Sequence, residues 1–106
     1  FLSAQLEAYL ADDLWLDNAR HANAMAKRLA DGVRQAAEAR LAVEPAANEV
    51  FIHLDAAADA RLQAAGFSYS PWPALGADCF RFVTAWSTDP ADVDRLTAVA
   101  CGRDAA

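Results

Sequence analysis

The run Cys79-Phe80-Arg81-Phe82-Val83-Thr84 constrains the fold of this chain more than any other stretch. Alternating aromatic and β-branched residues favour an extended strand, whose side chains point alternately to two faces. Phe80, Phe82 and Thr84 then share one face, and Cys79, Arg81 and Val83 share the other. Two phenyl rings require a packed layer behind them. The opposite face carries a fixed positive charge, so the sheet is expected to be covered on one side and open on the side of Arg81.

The chain of 106 residues has room for one modest core, and is read as a single domain spanning 1–106. Nine basic residues stand against fifteen acidic ones, for a net charge of −6, with no basic block. That balance argues against nucleic acid and against an anionic membrane surface as partners. No apolar run has the length of a membrane span, and no charged segment followed by an apolar one marks a signal peptide, so the expectation is a soluble, cytoplasmic protein. Cys79 and Cys101 are too few for a disulfide framework, and no Cys/His cluster has zinc-ligand spacing. They read as two buried, reduced thiols. The sequence opens inside a helical pattern at Phe1-Leu2-Ser3, and its only methionine is Met25, which suggests a piece of a longer protein.

Leu2, Leu6, Tyr9 and Leu10 recur at helical intervals, and a second helix is expected from Leu14 to about Ala37, capped by Asp12 or Asp13. Its apolar stripe runs through Ala22, Met25, Leu29 and Val33, and Gly32 is expected to bend it or end it early. After Arg40 the period becomes alternating. Leu41 and Val43, then Val50, Ile52 and Leu54, predict two strands joined as a hairpin around Pro45 and Asn48. Asp55 caps a short helix that Gly66 ends, and Phe67 to Ser70 form an edge strand that Pro71 and Pro73 stop. Thr88 or Asp89, followed by Pro90, starts a last helix. The order ααββαββα predicts an α+β fold, a small and mainly antiparallel sheet covered by helices on one face.

No complete catalytic constellation is present. No serine lies in a G-x-S-x-G context, the glycines are too scattered to cradle a phosphate, and His21 and His53 read as structural. Lys27, the only lysine, falls beside Arg28 on the polar side of a helix and reads as a solvated charge rather than an amine nucleophile. Arg81 stands apart. It is either a strand arginine paired to a neighbouring carboxylate, or a bidentate clamp on a small carboxylate, for which a planar and permanently charged fork is suited.

Two segments bear on that choice. Pro45-Ala46-Ala47-Asn48-Glu49-Val50-Phe51-Ile52, then Phe80-Arg81-Phe82-Val83-Thr84-Ala85-Trp86 with Ala91-Asp92-Val93-Asp94 beyond, resemble the C-terminal small domain of low-specificity L-threonine aldolases. The segment Leu14 to Ala26 adds to the match, so the resemblance covers nearly the whole chain in order. It implies a pyridoxal-phosphate enzyme of the aspartate-aminotransferase-like fold that cleaves β-hydroxy-α-amino acids to glycine and an aldehyde. It further implies that the Schiff-base lysine and the other cofactor-binding residues lie in a larger domain preceding residue 1, so that this fragment alone is inactive and binds no cofactor. Arg81 matches the position that grips the substrate carboxylate, and the full-length protein is expected to be a homo-oligomer. Many members have a histidine after Val-Thr where this chain has Ala85, followed by Trp86. Trp86, Tyr69 and Trp72 form either an aromatic wall for bulky substrates or a cover over the core. Two other readings stay open: a stand-alone, non-catalytic α+β binding module, and the same domain of another carbon–carbon or β-eliminating lyase.

Overall fold

A computed structural model of the chain describes residues 2–45 and 47–103, with side chains described from Leu14 onward. Its elements are α1 (Leu2–Arg34), β1 (Ala39–Leu41), β2 (Glu49–Leu54), α2 (Ala56–Ala64), β3 (Ser70–Pro71), a 3-10 turn (Pro73–Leu75), β4 (Cys79–Val83) and α3 (Pro90–Ala100). The four strands form one antiparallel sheet in the order β1-β2-β4-β3. The fold is α+β, as expected, with one difference at its start.

The two helical stretches are a single helix of 33 residues. Asp12 and Asp13 lie inside it and open no new helix. From Leu2 to Asp31 there is neither glycine nor proline. An interior aspartate costs less than ~0.7 kcal/mol, less than giving up a turn of helix and building two new ends. The expected apolar face of Leu2, Leu6, Tyr9 and Leu10 lies outside the residues whose side chains are described.

α1 continues two residues past Gly32, to Arg34, and so ends short of the expected Ala37. Gly32 faces α3: a Cβ added there would stand 2.8 Å from Thr97 Oγ1 and 3.0 Å from Thr97 Cγ2. Overpacking by Gly32→Ala costs about 1–3 kcal/mol and the helix-propensity gain returns about 1 kcal/mol, so a net destabilisation of up to about 2 kcal/mol is expected. In urea unfolding, the double variant Gly32→Ala/Thr97→Ala should recover most of that loss.

Register determines what each sheet face carries. Val50 pairs with Phe82 and Ile52 with Phe80 on the face toward the helices, while Phe51 pairs with Arg81 and His53 with Cys79 on the other. The core joins Leu29 and Val33 of α1, Ala58 and Leu62 of α2, and Val93 and Val99 of α3 to the inner strand residues. All three helices thus share one cluster on one side of the sheet. Tyr69 belongs to this covered side. Its ring stacks on Phe82 at 4.6 Å between centroids and meets Phe80 edge-on at 5.3 Å. Its hydroxyl donates to the Asp59 carbonyl and to the Asp59 carboxylate, and burial, followed by that carboxylate, pushes the phenol well above its ordinary range.

Caps follow the sequence closely. The Asp55 carboxylate accepts from Ala58 N at 2.7 Å and that of Asp89 from Ala91 N at 2.9 Å, while Gly66 and Gly102 take positive φ after α2 and α3. Arg61 of α2 donates from Nε to the Val99 carbonyl at 3.0 Å and from Nη2 to that of Ala100, satisfying end groups of α3 that helical bonding leaves over. The edge strand is shorter than expected. Only Ser70 and Pro71 pair with β4, Pro71 lying inside the strand rather than ending it, while Phe67 N–H donates to the Leu62 carbonyl at the end of α2.

Arg28 of α1 grips Asp94 of α3 through two bonds of 2.8 and 2.7 Å, and this hydrogen bond holds the Asp94 carboxyl below the usual carboxylate range. A carboxyl depressed on folding adds stability above its unfolded pKa, and that contribution fades as pH falls through the folded one. The stability difference between wild type and Asp94→Asn should accordingly be present at neutral pH, shrink below about pH 4 and reach zero in stronger acid, as followed by urea unfolding at stepped pH.

Candidate functional site: an arginine on the open sheet face

The outward face of β4 is less open than the strand pattern implies. Cys79 is buried opposite its cross-strand partner His53, whose Nδ1 meets Asp78 Oδ1 at 2.8 Å and whose ring fits against Gly76. Burial raises the pKa of the Cys79 thiol, which makes it a poor nucleophile. Cys101 is only half-buried, and both cysteines are free. At the other end of the strand Val83 is 53% exposed. Arg81 lies between these two, in the middle of the face.

Three neighbours define the arginine. Its Cζ sits 5.0 Å from the centroid of the Trp72 ring, which in turn contacts Phe51 at 5.4 Å. Trp72 is held in place by its own backbone, whose N–H donates to the Cys79 carbonyl at 2.8 Å. Nη1 of Arg81 donates to Glu49 Oε1 at 3.3 Å, and Nε is shielded from solvent with no hydrogen-bond partner. Sequence had offered a paired arginine or a free clamp, and the geometry contains elements of both. A neighbouring carboxylate is present, yet it makes one long contact where charge-assisted bonds are typically ~2.7–2.9 Å.

Neither Glu49 nor Trp72 was singled out as a neighbour of Arg81 from sequence. Glu49 was within reach of such reasoning: it lies two residues from Phe51, the cross-strand partner of Arg81, and diagonal neighbours on one sheet face come within contact of long side chains. Trp72 was not, since the turn after Pro71 decides where its ring falls. The aromatic wall is also not one surface. Tyr69 packs into the covered side, Trp72 lies against Arg81, and Trp86 is 67% exposed. Trp86 borders an open cavity of about 590 Å³ with Trp15, Ala22, Asn48 and Val83.

The remaining polar candidates have structural partners. His21 Nε2 donates to the Thr88 carbonyl at 2.6 Å. Thr84 is buried and donates to the Ala22 carbonyl at 2.6 Å, tying β4 to α1. The Lys27 side chain is 78% exposed and paired with Asp31 at 3.2 Å, on a solvated helix surface. Among the described residues, no three His, Cys, Asp or Glu side chains gather as a metal site, and no helix is long and apolar enough to cross a membrane.

Comparison with known proteins fits this frame. Over 89 residues, 84% of the chain, it is 36% identical to a low specificity L-threonine aldolase of Pseudomonas aeruginosa. Over 98 residues, 92% of the chain, it is 33% identical to a low specificity L-threonine aldolase of another Pseudomonas strain. As a segment, the chain belongs to the low-specificity L-threonine aldolase family. It spans only 25% and 28% of the length of these two aldolases. No family model matches the sequence. Threonine aldolases of this kind thus share with the chain a stretch that, in this structure, folds as a helix-covered sheet with an arginine on its open face.

Proposed function

We propose that the chain is the C-terminal small domain of a cytoplasmic, pyridoxal-phosphate-dependent aldolase that cleaves L-threonine or related β-hydroxy-α-amino acids to glycine and an aldehyde. Its contribution is Arg81, which grips the substrate carboxylate and so orients the bond to be broken. The observation that carries this reading is the guanidinium itself, stacked on Trp72 on the open sheet face and answered by a single weak contact. Similarity to the aldolases over most of the chain supports it.

The residues described here do not fit pyridoxal phosphate. A lysine that condenses with the cofactor needs a pocket that lowers its pKa, whereas Lys27 stands in solvent beside Asp31. The cofactor and its chemistry are therefore assigned to a preceding large domain. Purified residues 1–106 mixed with pyridoxal phosphate and reduced with borohydride should carry no specific label at Lys27. Stoichiometric labelling there would remove the need for that domain. Assays of the full-length protein with threonine, phenylserine and serine should show glycine release from the first two. Pyruvate from serine alone would instead indicate a β-eliminating lyase of the same fold.

Leu14, Trp15, Val83 and Trp86 leave large apolar side chains in solvent, at 60%, 66%, 53% and 67% exposure. Such a surface suits burial against the large domain or a neighbouring subunit. The isolated chain should then self-associate with rising concentration in sedimentation velocity, and Trp15→Ser/Trp86→Ser should abolish the effect.

A further inference from the structure

Residues 72–78, between β3 and β4, lie against the outward side of the sheet, Trp72 against Phe51 and Arg81 and Gly76 against His53. The core does little to hold them. No residue of the Pro73–Leu75 turn is buried, and Leu75 is 38% exposed. A segment of this kind depends on its few fixed bonds for a defined position. Two backbone bonds close its base: Trp72 N–H donates to the Cys79 carbonyl at 2.8 Å, and Leu54 N–H to the Asp78 carbonyl at 3.0 Å.

The side chain of His53 adds a third tie. In the register of the sheet it lies between Arg40 of β1 and Cys79 of β4, and it is only 10% exposed. Its ring occupies the space a side chain at residue 76 would need, since a Cβ on Gly76, whose φ is +138°, would stand 3.0 Å from His53 Cε1. On its other side Nδ1 meets Asp78 Oδ1 at 2.8 Å. That bond, with a smaller contribution from the Arg40 charge, holds the Asp78 carboxyl below the usual carboxylate range. An ionised carboxylate only accepts, so Nδ1 carries the hydrogen, and Gly76 and Asp78 together fix the ring. The contacts run on from there. Asp78 adjoins Cys79, whose carbonyl holds Trp72, and the Trp72 ring meets Phe51 at 5.4 Å and Arg81 Cζ at 5.0 Å.

We propose that the His53–Asp78 pair is a latch that seats residues 72–78 and, through Trp72, sets the direction of the Arg81 guanidinium. His53 and Asp78 are then positioning residues of the Arg81 site. This rests on the reading of Arg81 as a carboxylate clamp and adds the residues that aim it.

The test is a double-mutant cycle in the full-length enzyme. Asp78→Ala should lower kcat/KM for L-threonine by about three- to tenfold, the scale of one net hydrogen bond, and leave L-threoninamide nearly unaffected because it has no carboxylate to aim at. Asp78→Asn keeps an acceptor for His53 Nδ1 and should restore most of the activity. Combined with Arg81→Lys, Asp78→Ala should bring no further loss, since the fork it positions is gone. The Asp78 side chain is 54% exposed, so its removal leaves no core cavity, and urea midpoints close to wild type check that the fold is intact. Equal slowing of threonine and threoninamide, or the same loss with and without Arg81→Lys, would make the pair a structural tie only and overturn the proposal. A normal loss from Arg81→Lys beside an inert Asp78→Ala would condemn the latch alone. If Arg81→Lys by itself leaves kcat/KM for threonine unchanged, the clamp reading fails and the latch fails with it.

Discussion

Arg81→Lys, made in the full-length enzyme, is expected to lower kcat/KM for L-threonine by about one to two orders of magnitude, the scale of losing a bidentate charged contact. Lysine keeps the charge but not the fork, and its compact ammonium lacks the planar surface that the guanidinium, 5.0 Å from the Trp72 ring centroid, presents to that ring. The loss should be confined to function. The pair with Glu49 is partly exposed and the Trp72 contact lies at the surface, each worth about 1 kcal/mol or less to stability. Unfolding midpoints of wild type and variant should therefore agree closely, while turnover differs by one to two decades. A large loss of stability with proportionate loss of activity would instead make Arg81 a structural strand residue.

The largest expected effect on stability is at the opposite face of the same sheet. Ile52 is 1% exposed in β2, the strand paired with β1 on one side and β4 on the other, and it faces the shared cluster of all three helices. Ile52→Ala should cost about 2–5 kcal/mol, the sum of lost transfer energy and the cavity left behind. Against a typical stability of about 5–15 kcal/mol for a domain of this kind, that leaves the fold marginal. Val83→Ala, on the exposed end of β4, should change stability by about 0.5 kcal/mol or less. Equilibrium urea unfolding of the two variants side by side distinguishes covered from open face, and comparable losses would contradict a sheet packed on one side only.

That asymmetry was legible from alternation alone, since Phe80, Phe82 and Thr84 do face the helices and Arg81 and Val83 do face away. The caps at Asp55 and Asp89 were legible for the same local reason: each side chain needs only its own helix start to find a partner. What escaped depended on contacts between distant segments. Gly32 reads locally as a helix breaker, and only the approach of Thr97 explains it as a packing residue. Asp12 and Asp13 read as caps because aspartate is a favoured cap, yet its cost of less than ~0.7 kcal/mol in a helix interior is too small to end a helix there. At the candidate site Arg81 was identifiable as an unusual charge in an apolar run, whereas its stacking on Trp72 depends on how the Pro71–Pro73 turn folds back.

The most direct test of Arg81 as the carboxylate clamp is a cycle between protein and substrate. Full-length wild type and Arg81→Lys are each assayed with L-threonine and with L-threoninamide, which lacks the carboxylate charge. Wild type should prefer threonine by about one to two orders of magnitude in kcat/KM, and the variant should lose most of that preference by becoming slower on threonine alone. An undiminished preference for threonine in the variant would show that the substrate carboxylate is held elsewhere, and would contradict the role assigned to Arg81.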